Sequence, residues 1–359
     1  MFPRAPNARE VSKLREFKTV DIARRLCVIS PTMVRLRNYS VYTLNPLSIF
    51  NPSLLIKGDE VWVYARVILG YYKYVSAIAK ISIPLSEILE GKCSVSQYSA
   101  DIVIYPSTKY DVWGAEDPRV TEILGRPYMV YTGRSVNYFN PGVSRERTLP
   151  VVAVSVDRHG FKWSKISVPV MPPEVRPRVI SDKNAFPLLT TSGEVLFFHR
   201  PHIGKDFYLA VSRAGKELLR GGDGVREVQL GGTKVVMEPA SFEVKLGWST
   251  PLVEVGGDTY VAIVHGIDRE MEVYRALAVL VKYDRDLGIR AVSVTPHYIM
   301  EPRESFEIFG DRPYVVYPCG LAKVDENLVV SYGAADYAVG LAEIGLDHLM
   351  SILDKFRVE

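Results

Sequence analysis

The sequence predicts an all-β fold, a five-bladed β-propeller with a short N-terminal arm or helix and a short C-terminal helix. Three observations point there. A turn followed by an alternating strand recurs five times in 359 residues, the recurrence is nearly periodic, and long helical patterns are almost absent. The copies begin at Lys57-Gly58-Asp59-Glu60, Gly125-Arg126-Pro127, Ser192-Gly193-Glu194, Gly256-Gly257-Asp258 and Asp325-Glu326-Asn327. Measured from Gly58, Gly125, Gly193, Gly257 and Asp325, the steps are 67, 68, 64 and 68 residues.

Each copy runs into a stretch rich in Val and aromatics with a period of two, as in Val61-Trp62-Val63-Tyr64. That pattern marks a strand, and Gly, Asp and Asn supply the left-handed positions a hairpin turn needs. A unit of this length holds four short strands with their loops, and repeating four-stranded sheets around an axis limits exposed edges. A pair of β-sandwiches is the rival arrangement. The ends differ from the repeat. Residues 10–25 read as a basic arm, a short helix or a solvated lead-in. Leu346, Leu349, Leu353 and Phe356 recur at helical spacing and predict a closing helix. The proline-rich stretch Met171–Arg178 predicts an inter-blade connection. The domain division is residues 1–40 for the arm and 41–359 for the propeller.

Composition narrows the function. Lys and Arg number 44 against 41 Asp and Glu, a net charge of +3, so there is no basic field for a nucleic-acid backbone. An apolar fraction of 47% and a charged fraction of 24% exclude a disordered chain. No apolar run has the length of a membrane span, and none follows the basic N-terminus as in a secretory signal. Cys27, Cys93 and Cys319 are too few and too scattered for a disulfide framework and form no zinc pair, which reads as a reducing, cytoplasmic setting. Two glutamines and eight asparagines are few thermolabile amides and suggest a hot habitat.

The repeated strands end in Arg66, Thr132-Gly133-Arg134, His199-Arg200, His265 and Gly333-Ala334-Ala335-Asp336. Equivalent strand ends around one axis meet in one central cavity, where such groups would gather round an anion; solvated surface is the plain alternative. Between the first two copies lies Trp113-Gly114-Ala115-Glu116-Asp117-Pro118-Arg119. Here Glu116 and Arg119 read as a local ion pair that leaves Asp117 as the carboxyl free to act. Trp113, Tyr138, Trp248 and Tyr337 lie near these segments and could stack on sugar faces.

The run Gly114–Arg119, with Asn51-Pro52, Lys183-Asn184-Ala185, Phe198-His199-Arg200-Pro201, Val264-His265-Gly266, Tyr317-Pro318-Cys319-Gly320 and Tyr332–Asp336, resembles glycoside hydrolase family 130. The match keeps its order from about residue 45 to residue 350. The resemblance implies a five-bladed propeller that acts on β-mannosides, by phosphorolysis in some members and by hydrolysis in others. It implies Asp117 as general acid, Lys183, Arg200, Lys245 and His265 around phosphate, and Asn51, Arg66, Arg119 and Asp336 around the mannosyl unit. Orthophosphate is then a co-substrate, with no cofactor and no metal. The expected partners are a β-mannoside and phosphate, without nucleic acid or membrane, and a second copy of the chain.

An inverting glycosidase ordinarily needs two carboxyls, one of them to activate water. A phosphorylase needs one, because phosphate arrives as an anion and requires cations instead. The expected reaction is therefore inverting phosphorolysis of β-mannosides to α-mannose 1-phosphate. An inverting β-mannosidase with Glu243 as base is the first alternative, and a non-catalytic carbohydrate-binding propeller is the second. Two departures from the family pattern stand out. Gly247-Trp248-Ser249-Thr250-Pro251 alters the wall beside Lys245, and Val136–Pro150 is an extended loop bearing Arg145 and Arg147.

Overall fold

Every one of the five turn-and-strand repeats folds as the hairpin between the first and second strands of a separate sheet. The first strands, Ser48–Lys57, Ala115–Ile123, Val179–Leu189, Glu243–Trp248 with Val253–Gly256, and Val316–Val324, each pair antiparallel with the strand that follows the turn. Gly58, Gly125, Gly193, Gly257 and Asp325 all sit at positive φ in those turns, as the repeat required. The computed structural model describes residues 2–37 and 45–358, and the expected boundary between residues 40 and 41 lies outside them.

The five sheets form a mostly β, five-bladed propeller. Alternating side chains on both faces of each sheet are apolar because each blade is covered by its two neighbours. The core is accordingly divided into five inter-blade layers. Trp62, Tyr64, Met129 and Val151 fill the space between blades one and two, and Phe197, Val130 and Val152 that between two and three. Phe186, Phe198, Trp248 and Leu277 lie between blades three and four, and Val261, Ala278, Val316 and Val330 between four and five.

Closure comes from the N-terminal segment. Arg24–Ile29 is the outer strand of the fifth blade, antiparallel to Ala338–Gly345, so the first strand in sequence completes the last sheet. Val34–Leu36 adds to the first blade beside Tyr98–Ile104. Residues before these strands are not a solvated lead-in. Helix Glu10–Lys13 places Val11 in the layer between blades three and four, and Arg15 is fully buried against Glu243 and the Thr295 carbonyl. The helix Leu346–Lys355 buries Leu346, Leu349 and Leu353, the stripe read from the sequence. Residues 171–178 connect the second and third blades, as their prolines indicated.

Cysteine pairing differs from the sequence reading. Cys27, on the closing strand, forms a disulfide with Cys93 in the first blade, with Cα atoms 5.8 Å apart. The two are 66 residues apart in sequence and meet only because the ring closes, which their spacing does not reveal. Cys319 is the remaining free thiol among the described residues, and it is buried. The bridge joins the fifth blade to the first beside the closing strand. In denaturant without reductant, thiol titration should count one reactive cysteine, rising to three after reduction; three at the outset would refute the pairing.

Candidate active site

The inner end of each first strand carries a bulge. Pairing between first and second strands slips between Phe50 and Ser53, Glu116 and Arg119, Lys183 and Phe186, Glu243 and Lys245, and Pro318 and Gly320. In the first three blades the unpaired residue is Asn51, Asp117 or Asn184, each at a φ between 49° and 57°. Asn and Asp tolerate this conformation better than other side chains, and the bulge re-aims a side chain that would otherwise follow the pleat. Asn51 and Asp117 reach a cavity of about 460 Å³ in this way, Lys183 and Lys245 reach it from paired positions beside their bulges, and Arg66, Arg200 and Asp336 come from the second strands or the turn that follows.

Asp117 is nearly buried, 9% exposed. Its Oδ1 accepts from Asn51 Nδ2 at 2.8 Å and from Arg66 Nη1 at 3.3 Å, and Oδ2 has no hydrogen-bond partner among the described residues. Asn51 in turn lies so close to the fifth blade that a side chain at Gly333 would meet its Oδ1 at 1.8 Å. That contact explains the glycine of the Gly333-Ala334-Ala335-Asp336 run.

Glu116 does not pair with Arg119, contrary to the sequence expectation. It is fully buried and accepts from Arg66 at 2.9 Å, Arg134 at 3.3 Å and the Tyr138 hydroxyl at 2.8 Å on each oxygen, with Lys183 Nζ at 3.7 Å. Burial alone would raise its pKa, but Arg66, Lys183 and Arg134 override it and hold the carboxyl down at about 2. Arg119 instead binds carbonyls, those of Asp117, Ser249 and Trp248, and the Tyr317 hydroxyl. It fixes the backbone on which Asp117 stands and lies behind the wall rather than on it. The Pro118 bulge separates the two residues in register, so a neighbouring pair in sequence points to different partners.

The cations fall into two groups. Lys183 is partly neutralised by Glu116, whereas Arg200, Lys245 and Arg312 line the cavity and form no ion pair with a carboxylate among the described residues. Arg200 donates to His265 Nε2 at 3.1 Å, and Ser249 Oγ meets His265 Nδ1 at 2.8 Å. His265 is fully buried behind Arg200, not on the wall. Burial, with Arg200, Arg119 and Lys245 nearby, pushes its pKa well below the usual range, so it is a neutral acceptor that orients Arg200. A side chain at Gly247 would strike the His265 ring at 2.4 Å, and the altered Gly247–Pro251 wall thus makes room for this pair. Lys245 is lowered to about 7 by burial and then by Arg200, Arg312 and Lys183.

Asp336 is raised to about 6, chiefly by burial, with Arg66 pulling the other way. Glu243 is not available as a base. The bulge before Lys245 turns it away from the cavity, and it is sealed by Arg15, the Tyr298 hydroxyl and the Ala240 amide. Of the aromatics singled out, Tyr138 lines the cavity, while Trp248 is a core residue whose indole donates to the Ala210 carbonyl. Trp113 lies under Lys73, and Tyr337 packs on the layer between blades four and five. Arg134 ends its strand buried, and His199 lies buried in the middle of Val195–Ile203, between Asp182 at 2.7 Å and Ser212 at 2.8 Å. The sequence reading missed Arg312, Tyr74, Asp311, Phe139 and Tyr274 on the wall. Most come from loops outside the repeat, where no period marks them.

A propeller whose axial cavity gathers carboxyls and cations, among them Asp117, Asp336, Arg200 and Lys245, has the build of an enzyme that handles polar, charged small molecules. Sequence comparison places the class more narrowly: the profile described as β-1,4-mannooligosaccharide phosphorylase matches residues 13–355, and the chain belongs to glycoside hydrolase family 130, the β-mannoside phosphorylase family. A 1,2-β-oligomannan phosphorylase of Thermoanaerobacter sp. (strain X514) is 27% identical over 246 residues, covering 67% of this chain and 71% of its own. A β-1,2-mannobiose phosphorylase of the same organism is 26% identical over 314 residues, covering 83% and 90%. Among solved structures, β-1,2-mannobiose phosphorylase from Listeria innocua, in complex with β-1,2-mannobiose, superposes with a TM-score of 0.68 at 16% identity over 93% of this chain and 99% of the other. MPT-4, a mannose phosphorylase from Leishmania mexicana in complex with phosphate, gives 0.58 at 14% identity over 90% and 89%. Both share the fold. A further structure, 16% identical with a TM-score of 0.63 over 97% of this chain and 94% of its own, comes from work describing family members that are hydrolases of β-1,2-mannosidic linkages.

The raised carboxyl of Asp336 gives a stability signature. The unfolded chain ionises this group near the ordinary 3.8 and the folded chain near 6, so folding loses stability as pH rises between those values and the loss is complete above them. Asp336→Asn, whose side chain suits the φ of 50° at this position, should raise Tm at pH 8 by roughly 2–4 °C and leave it unchanged at pH 4. A scan by calorimetry at the two pH values checks it, and an equal shift at both would show that the carboxyl charge is not the cause.

Proposed function

We propose that this chain is an inverting glycoside phosphorylase that cleaves β-mannosides with orthophosphate, releases α-mannose 1-phosphate and runs in reverse as a synthase. The observation that carries the reading is the set of three cations, Arg200, Lys245 and Arg312, that share a cavity with Asp117 and form no ion pair with a carboxylate among the described residues. Cations left unpaired and partly desolvated are costly unless an anion is to be bound. An incoming phosphate supplies that anion, restores the charge of Lys245 and takes paired donors from Arg200 and Arg312.

In the reaction, Asp117 holds a proton at Oδ2 and gives it to the glycosidic oxygen, directly or through a sugar hydroxyl. A phosphate oxygen attacks the anomeric carbon from the opposite face. The bond from that carbon to the leaving oxygen breaks as the bond to phosphate forms, which inverts the centre. Asn51 and Arg66 fix the Asp117 carboxyl through Oδ1, and Asn51, Arg66 and Asp336 receive the mannosyl hydroxyls. Lys183, tethered to Glu116, stands between the acid and the phosphate cations. Arg119 and His265 act through their neighbours as positioning residues. Hydrolysis is disfavoured because Glu243, its proposed base, is sealed away by Arg15. We also place the enzyme in the cytoplasm of an organism from a hot habitat, where intracellular disulfides such as Cys27–Cys93 are common.

Product analysis on β-1,2- and β-1,4-mannobiose should show mannose 1-phosphate with phosphate and negligible free mannose without it. Equal cleavage in phosphate-free buffer would overturn the reading. Asp117→Asn, which keeps the left-handed backbone, should lower kcat by about 10²–10⁴ and retain sugar binding. Arg312→Ala and Lys245→Ala should each raise KM for phosphate about tenfold or more, while KM for the mannoside changes far less. Equal changes in both constants would remove these residues from the phosphate site.

A further inference from the structure

A relay of polar side chains crosses the third blade behind the cavity, and the reaction uses none of them. Asp182 Oδ2 accepts from His199 Nδ1 at 2.7 Å, the other ring nitrogen meets Ser212 Oγ at 2.8 Å, and Ser212 Oγ meets Thr233 Oγ1 at 2.7 Å. Each link stands on a different strand. Val179–Leu189, Val195–Ile203, Leu209–Ala214 and Gly231–Met237 lie side by side in that order, and each contributes one of the four residues. All four are buried, and none lines the cavity. Carboxylate, imidazole and hydroxyl in sequence resemble a nucleophilic triad, but Ser212 is 1% exposed and lies off the cavity wall, so no substrate reaches it.

Packing alone does not account for the relay. His199 lies against Phe197 in the layer between blades two and three, where apolar side chains would serve, and Asp182 Oδ1 is buried with no partner among the described residues. A polar cluster left partly unpaired is destabilising relative to an apolar filling of the same volume. What lies in front of it is more telling. Lys183 and Arg200 stand directly opposite each other across the first two strands, and both reach the cavity. Like charges so placed repel. Glu116, 3.7 Å from Lys183, offsets one of them, while Arg200 forms no ion pair with a carboxylate among the described residues. Asp182 and His199 immediately precede these two cations, so alternation along the strands puts them on the reverse face. Their bond ties the two strands together beside the bulge at Asn184 and Ala185, where the backbone ladder is interrupted. Ser212 and Thr233 extend the tie to the outer strands.

We propose that Asp182, His199, Ser212 and Thr233 are positioning residues that hold Lys183 and Arg200 side by side for an incoming anion, so that phosphate affinity depends on hydrogen bonds sealed away from the cavity. This rests on the phosphate reading of the same cavity. Asn51, Arg66 and Asp336, which receive the sugar, stand on blades one and five. Mannoside affinity should therefore not follow the relay.

Calorimetric titration with orthophosphate, and separately with β-mannobiose, tests this in the Asp117→Asn background, where turnover does not interfere. Ser212→Ala should weaken phosphate binding about fivefold and leave mannoside binding within a factor of about two. Thr233→Val, nearly isosteric but without the hydroxyl, should shift phosphate in the same direction, and Thr233→Ser should stay at the parent value; these two carry the comparison if Ser212→Ala does not fold. Val152→Ala, a truncation in the same layer, should lower Tm without moving phosphate binding. Unchanged phosphate affinity in Ser212→Ala and Thr233→Val, parallel losses for phosphate and sugar, or a matching loss from Val152→Ala overturns the positioning role. A parent that takes up no phosphate at all sinks the phosphorylase reading instead, and the role falls with it.

Discussion

Glu116 is the constraint on which the floor of the cavity depends. A carboxylate removed from water costs several kcal/mol unless its charge is met, and here two arginines, one lysine and a tyrosine hydroxyl meet it. Those partners come from three blades, so satisfying one buried charge fixes the relative placement of Arg66, Arg134 and Lys183. Asp117, the next residue, inherits that placement through Arg66. Its own carboxyl can then present one oxygen to the ligand because the other is occupied. Loss of Glu116 would strand the cations as well as free them, the more damaging half of breaking a buried pair.

Charge is arranged asymmetrically about that floor. On one side positive groups are neutralised by Glu116; on the other Arg200, Lys245 and Arg312 repel one another. The repulsion is visible in Lys245, whose pKa falls to about 7. In the proposed reaction an incoming phosphate would offset this repulsion. The family's hydrolases and phosphorylases share a fold, so the distinction lies in these few side chains rather than in the architecture.

The fold was legible because a propeller repeats, and repetition survives in sequence even where single strands are ambiguous. All five turns were read from Gly58, Gly125, Gly193, Gly257 and Asp325, and each is the same hairpin. The cavity was legible where it rides on that repeat, at Arg66, Arg200 and Asp336, and in the run that carries Asp117, whereas Asn51, Lys183 and Lys245 were legible only through the family resemblance. It failed where register or loops decide. Glu116 and Arg119 look like partners until the two-residue slip at Asp117 and Pro118 sends them apart, and Glu243 looks like a base until the slip before Lys245 turns it outward. His265 occupies the right strand but one layer too deep. Arg312, Tyr74 and Phe139 lie in irregular segments whose direction depends on tertiary anchors such as Arg147 and Asp311. The Cys27–Cys93 bridge needed knowledge of how the ring closes.

That closure has a consequence for biosynthesis. The fifth blade takes its outer strand from residues 24–29, yet its other three strands are the last to be made. A nascent chain can therefore complete blades one to four while the strand Arg24–Ile29 waits, an unpaired edge open to wrong partners. Asp336 and Arg312 also come from that late-made stretch, so the cavity wall is incomplete until it has emerged. Ring closure thus waits on one early strand, Arg24–Ile29, meeting one late one, Ala338–Gly345.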